Sequence, residues 1–158
     1  MILFGLRDLS HRAQARQLLA WSTRQQWGLD PLPDLALWER GKPYFPHLPH
    51  CQFNLSHSGT LALCALSDRP VGVDIQMVRP VWRDSLIDRS CTLEERTWLR
   101  SRQDRPEEFA ALWAAKECLG KQNGDGLPYP PARIAVPLPT LGAPFDPHEI
   151  YLSQGRVL

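Results

Sequence analysis

The stretch PVGVDIQ, residues 70–76, governs how the rest of the chain is read. Val71, Val73 and Ile75 alternate as on one face of a strand. Asp74 stands among them, where an ionised carboxylate is costly to desolvate unless something pairs with it. Side chains repeat every two residues along a strand, so Asp74 and Gln76 are expected on the same side, a carboxylate beside an amide oxygen. The partner for Asp74 must come from another segment.

Composition bounds the search. The chain has 158 residues, 43% of them hydrophobic, with 18 Lys+Arg against 17 Asp+Glu, which suits one compact globular domain of no more than two small lobes. A net charge of +1 gives no general field for nucleic acid, and no run of like charge forms a tail. Apolar stretches such as TLALCALS are too short to span a bilayer, and MILFGL lacks the features of a signal peptide, so a cytoplasmic protein with no membrane or nucleic-acid partner is expected. Cys51, Cys64, Cys91 and Cys118 form no C-x-x-C pair and read as free buried thiols. HLPHC, residues 47–51, reads as a surface loop rather than a metal site.

Along the chain, MILFGL reads as a strand, followed by a helix over residues 11–27 with Ser10 as its cap and Gly28 as its stop. A proline-rich connection leads to a hairpin around LWERGKPYF. CQFNLS, TLALCALS and VGVDIQ read as three more strands. The second half turns helical. CTLEERTWLRSR carries a capping box, Thr92 with Glu95, and Pro106 opens a helix running to about Lys121. The proline-rich remainder is read as loop with one short strand, RIAVPL, and a closing hairpin, EIYLSQGRVL.

On the long helix, Trp113, Glu117 and Lys121 recur every four residues and share one stripe with Phe109. One reading is a solvated Glu–Lys pair, which is common on helices. The other joins Glu117 to Asp74 and Gln76 as three oxygen ligands, a set that suits Mg²⁺ with waters and phosphate oxygens completing its shell. A phosphate-bearing substrate follows from the second reading, and Lys42, His57 and Lys121 are basic groups that could hold it.

ERGKPYF, FNLSHSG, VGVDIQ and LWAAKECLGK, between Glu39 and Lys121, together resemble the 4′-phosphopantetheinyl transferases, which activate acyl and peptidyl carrier proteins. The resemblance implies an α+β fold of two similar lobes with a pseudo-twofold relation, divided at about residues 1–75 and 76–158, with coenzyme A in the cleft. It implies Asp74, Gln76 and Glu117 as the Mg²⁺ site, and Lys42, Ser56, His57 and Lys121 as contacts to coenzyme A phosphates. Asp74 would then be partnered by the metal and by Glu117. The implied reaction moves 4′-phosphopantetheine from coenzyme A to a carrier-protein serine and releases 3′,5′-ADP. Glu117 is the candidate base, directly or through a water. Lys116 is the second catalytic candidate, either assisting the phosphates or pairing with a carboxylate.

Two departures from the family pattern bear on these expectations. Gln76 stands where many members have a third acidic ligand, so fewer negative charges would face the ion. The chain is also shorter than many members, as a compact or truncated form would be, with a second lobe expected to lack strands. The alternative reading is a non-catalytic module that binds coenzyme A or a carrier protein through a weakened metal site. A metal-dependent phosphohydrolase shares the ligand set but gives no reason for GKP and SHSG. A monomer is expected. Arg79, Arg83 and Arg89, after the Asp74 stretch, are expected to dock an acidic carrier helix, with a solvated basic face as the plainer alternative.

Overall fold

A three-stranded antiparallel sheet in the order β1-β5-β4 forms the scaffold, built from β1 (Ile2–Leu6), β4 (Gln52–Ser58) and β5 (Leu61–Ser67). The computed structural model describes residues 1–11, 13–79, 83–102, 105–128 and 130–138. Strands fill the first half and helices dominate the second, so the chain is of mixed α+β type. Two compact units divide it, Met1–Ile75 with Leu119–Gly126, and Gln76–Cys118 with Leu127–Leu158.

In the first unit, β4 and β5 join through Gly59 and Thr60, with Gly59 at φ +57°, a left-handed conformation that glycine adopts without strain. Alternation along these strands gives the sheet two different faces. Phe53, Cys64 and Leu66 point to one of them and pack with Leu18 and Leu19 of α1 (Ala13–Trp27) and with Phe45. Asn54 and Ser56 point to the other, opposite Ala65 and Leu63. The expected hairpin is present as two short strands, β2 (Ala36–Leu37) and β3 (Pro43–Tyr44), with Gly41 at φ +84° in the turn between them.

Helix α1 starts at Ala13 rather than at residue 11. The Gln14 side chain reaches back, its Oε1 accepting from the backbone N–H of Ser10 and of His11. Gly28, at φ +67°, ends the helix as expected. The larger correction concerns residues 71–76, which form no strand. Side chains of β4 bind their backbone, as described below.

The second unit packs three helices, α2 (Asp84–Ser90), α3 (Leu93–Arg100) and α4 (Arg105–Asn123), the last of which continues into the first unit. Its core gathers Cys91, Trp98, Leu99, Phe109, Leu112, Ala115 and Val136. The capping box on α3 is complete, Thr92 Oγ1 accepting from the Glu95 N–H and Glu95 Oε2 from the Thr92 N–H. Helix α2 has no counterpart in the sequence reading. RIAVPL is not a strand: a 3₁₀ turn, Pro131–Arg133, takes in its first residue, and the Val136 N–H is bound by the Glu95 carboxylate rather than by a neighbouring strand. The expected closing hairpin lies outside the described residues. The four cysteines are free and buried.

Candidate functional site

Residues 70–75 cross the polar face of the β4–β5 pair as a strap. Val71 and Val73 pack on Ala65 with Leu63 alongside, so apolar burial holds the strap down. Polar side chains of β4 then fix its register. Asn54 Oδ1 accepts from the Val73 N–H at 2.9 Å, and Ser56 Oγ accepts from the Ile75 N–H at 3.3 Å. Both β4 side chains are buried, so each bond also spares a polar group that would otherwise be stranded.

Asp74 lies between the two anchored amides, and its side chain is only 7% exposed. Ser56 Oγ donates to Asp74 Oδ1 at 2.6 Å, and Lys121 Nζ lies 2.5 Å from the same oxygen. Lys121 also donates to Ser56 Oγ at 3.2 Å and to the Val73 carbonyl at 3.5 Å. Its place in the last turn of α4 sets the ammonium at the negative end of the helix dipole. The partner of Asp74 in this structure is thus the pair Lys121 and Ser56.

Lys42 clamps the same strap one step earlier. Its ammonium donates to the Val71 carbonyl at 3.2 Å and to the Gln122 carbonyl at 2.8 Å, and it lies 5.6 Å from the centre of the Trp38 ring. Burial of this cation pushes its pKa below the ordinary lysine value of 10.5. Gln122 Nε2 donates to the Pro70 carbonyl at 3.3 Å. Gly124, at φ +77°, lets the chain pass against Trp38: a Cβ there would come within 2.5 Å of the indole.

The sequence-predicted residues therefore fall into groups. Ser56, Asp74 and Lys121 form one cluster, and Lys42 holds the strap that carries it. His57 is exposed and, as the next residue of β4, faces the other side of the sheet from Ser56. Gln76 and Glu117, both half-buried, belong to the second unit. Lys116 lies within the second unit's interior, where Nζ is 2.8 Å from Glu95 Oε2 with both side chains 1% exposed, and it also donates to the carbonyls of Pro131 and Ile134. Asn54 and Gln122 are not singled out in the sequence, and Glu95 appears there only as the capping-box partner of Thr92. For Asn54 a signal was present, since a polar residue alternating with Ser56 inside FNLSHS marks a polar inner face.

One oxygen donor of the kind that Mg²⁺ takes is present in the first unit. Asp74 supplies a hard anionic oxygen, and an ammonium already stands on it as a cation would. Gln76 and Glu117 are the further oxygen donors that the resemblance nominates. Among the described residues, no three His, Cys, Asp or Glu side chains are gathered into a ready metal-holding group. No helix among them is long and apolar enough to cross a membrane. Arg79, Arg83 and Arg89 are exposed, Arg83 preceding α2 and Arg89 lying in its last turn.

Comparison with known proteins bears on the same segment. The chain is 35% identical over 124 residues to a 4′-phosphopantetheinyl transferase of Bacillus subtilis, an alignment covering 77% of this chain and 55% of that protein. It is 35% identical over 102 residues to 4′-phosphopantetheinyl transferase Sfp of Bacillus subtilis strain 168, covering 63% of this chain and 45% of Sfp. To 4′-phosphopantetheinyl transferase AcpT of Salmonella typhimurium it is 40% identical over 103 residues, covering 61% and 52%. The chain spans about half the length of these relatives. Residues 70–146, which begin at the strap and take in Asp74, Gln76, Lys116, Glu117 and Lys121, match the 4′-phosphopantetheinyl transferase superfamily.

Proposed function

We propose that this protein transfers the 4′-phosphopantetheine moiety from coenzyme A to a serine of an apo acyl or peptidyl carrier protein, in a Mg²⁺-dependent reaction that releases 3′,5′-ADP. The observation that carries this reading is the cluster of Asp74, Ser56 and Lys121, which sets a carboxylate and an ammonium side by side within the motifs the family shares. A fold of two similar lobes is proposed on the same resemblance.

Asp74, Gln76 and Glu117 would hold the ion. When bound, Mg²⁺ supplies neutralisation of the negative charge that builds on the transferring phosphate. Lys42, Lys121, Ser56 and His57 bind and orient the phosphates, His57 being assigned to the 3′-phosphate. The Glu117 carboxylate takes the proton from the carrier serine as its oxygen bonds to the phosphorus nearest pantetheine. The bond from that phosphorus to the bridging oxygen breaks, and its electron pair leaves with 3′,5′-ADP. Lys116 supports the reaction from inside the second unit, through its pairing with Glu95. Arg79, Arg83 and Arg89 form the surface that meets an acidic carrier helix, so carrier affinity should fall with added salt. The protein acts in the cytoplasm, as a monomer.

The test is a mass measurement on apo carrier proteins of several classes incubated with the chain, coenzyme A and Mg²⁺. A gain of one phosphopantetheinyl group that requires the metal is expected, and Asp74→Ala should abolish it while the fold is retained. Binding of coenzyme A with no gain on any carrier would overturn the transferase reading and leave a binding module.

A further inference from the structure

Lys121 and Asp74 pose a problem for any metal site that includes Asp74. The ammonium lies on Oδ1 at 2.5 Å, and the Ser56 hydroxyl donates to the same oxygen. A divalent ion at contact distance from that oxygen would face a positive charge a few ångströms away in a partly buried setting, where like charges repel far more than in water. The carboxylate cannot retreat, because the strap is pinned on both sides of it, at Val73 by Asn54 and at Ile75 by Ser56. Lys121 can. Its side chain is 27% exposed and ends a flexible four-carbon stem, and its other bonds are a 3.2 Å contact to Ser56 and a long 3.5 Å one to a carbonyl.

We propose that Lys121 is an internal counter-ion that keeps Asp74 closed to divalent metal until an anionic phosphate draws the ammonium away. This rests on the reading of Asp74 as a metal ligand and Lys121 as a phosphate contact. It adds that the two roles are alternatives for one side chain, so that metal and phosphate donor enter together. By linkage, a lysine that opposes the metal until the phosphate arrives makes each ligand tighten the other. The free protein is thereby kept from holding a metal with no substrate on it.

The test measures Mn²⁺ binding to the full chain by the electron-paramagnetic-resonance signal of the free ion, with no carrier protein and no turnover. Lys121→Gln and Lys121→Met, checked for native circular dichroism, should each raise the affinity for Mn²⁺ in the absence of coenzyme A by about tenfold, within the range usual for coupled sites. Ser56→Ala, which removes the three hydrogen bonds of that hydroxyl but leaves the ammonium, should produce no such gain. If both lysine variants bind Mn²⁺ without coenzyme A no better than the parent, the proposal is overturned. On the parent itself, the Lys121 Cε resonance should shift when coenzyme A and Mg²⁺ are added together and stay in place with the same Mg²⁺ alone; a full shift with Mg²⁺ alone overturns it too. Asp74→Asn separates the two levels. Loss of Mn²⁺ binding in that variant upholds Asp74 as a ligand whatever Lys121 does, whereas parent-like binding removes the underlying assignment.

Discussion

Replacing Glu95 by alanine should unfold much of the second unit, because one carboxylate there serves three donors. Its Oε2 accepts from Lys116 Nζ at 2.8 Å and from the Thr92 N–H at 2.8 Å, and its Oε1 accepts from the Val136 N–H at 2.9 Å. Removing one member of a buried ion pair costs about 3–5 kcal/mol, since the other charge is left in the interior. Loss of the cap interaction adds about 0.5–2 kcal/mol. The orphaned Val136 amide adds about 1–3 kcal/mol. These contributions share the same relaxation and do not sum, so a net loss of about 4–6 kcal/mol is expected. That is a large part of the roughly 5–15 kcal/mol that holds a domain folded. Urea unfolding followed by tryptophan fluorescence is a suitable assay, because Trp98 and Trp113 both belong to this unit's core. The double variant Glu95→Leu with Lys116→Met should be more stable than either single one, because it removes the charges together. A Glu95→Ala protein within about 1.5 kcal/mol of the parent, or a double variant no better than the singles, would refute the reasoning. An inactive Lys116 variant would then need a chemical explanation rather than a structural one.

Gly124→Ala should cost about 1–3 kcal/mol, because φ +77° strains an alanine and its Cβ would meet Trp38 at 2.5 Å; a melting temperature equal to the parent's would argue against that packing. Burial raises the Cys64 thiol from 9.0 to about 11 and the Cys91 thiol to about 12. The unfolded chain therefore loses these protons first, and stability should fall as pH climbs from about 9 toward those values, by up to about 1.4 kcal/mol per unit for each thiol. Cys64→Ala and Cys91→Ala should each flatten that slope in urea titrations across the alkaline range. Lys42 has the opposite sign: its lowered pKa means that the unfolded state holds the extra proton, so its own contribution rises with pH on the way to 10.5. Gln76→Glu should lower the Mg²⁺ concentration that gives half-maximal transfer, and an unchanged requirement would remove Gln76 from the ion. His57→Ala should lose the preference for coenzyme A over its dephospho form; a variant as selective as the parent would place the 3′-phosphate elsewhere.

Elements with strong local signals could be read from the sequence. Gly28 and Gly41 mark where the backbone takes positive φ, and Thr92 with Glu95 announces the start of α3. Lys42, Ser56, Asp74 and Lys121 lie in the sequence motifs, and the structure gathers them in the first unit. What the sequence concealed was long-range pairing. Alternation of Val71, Val73 and Ile75 predicts a strand, and burial on one side is indeed present, but periodicity cannot tell a ladder partner from a pair of side chains. The second role of Glu95 was hidden for a similar reason, because a capping box explains that residue completely at the local level. Lys116 left two readings open, and only the fold brings up a carboxylate from 21 residues earlier in the chain. Helix α2 is short and carries few apolar positions, so periodicity had little to detect.

The strap over β4 has a consequence for how substitutions are tolerated. A strand held in a ladder keeps its register through main-chain groups, which every residue but proline supplies, so almost any side chain can be exchanged without moving it. Here the register depends on the identity of Asn54 and Ser56. A single substitution at Asn54 would remove a bond that no main-chain group replaces, and Asp74 would lose its fixed place although no residue in contact with it had changed. The permissible alphabet at Asn54 is therefore narrow for reasons of alignment, and at Ser56 its bonds to Asp74 and Lys121 narrow it further. Drift at Asn54 would show as a displaced Asp74 carboxylate well before it showed as a loss of fold.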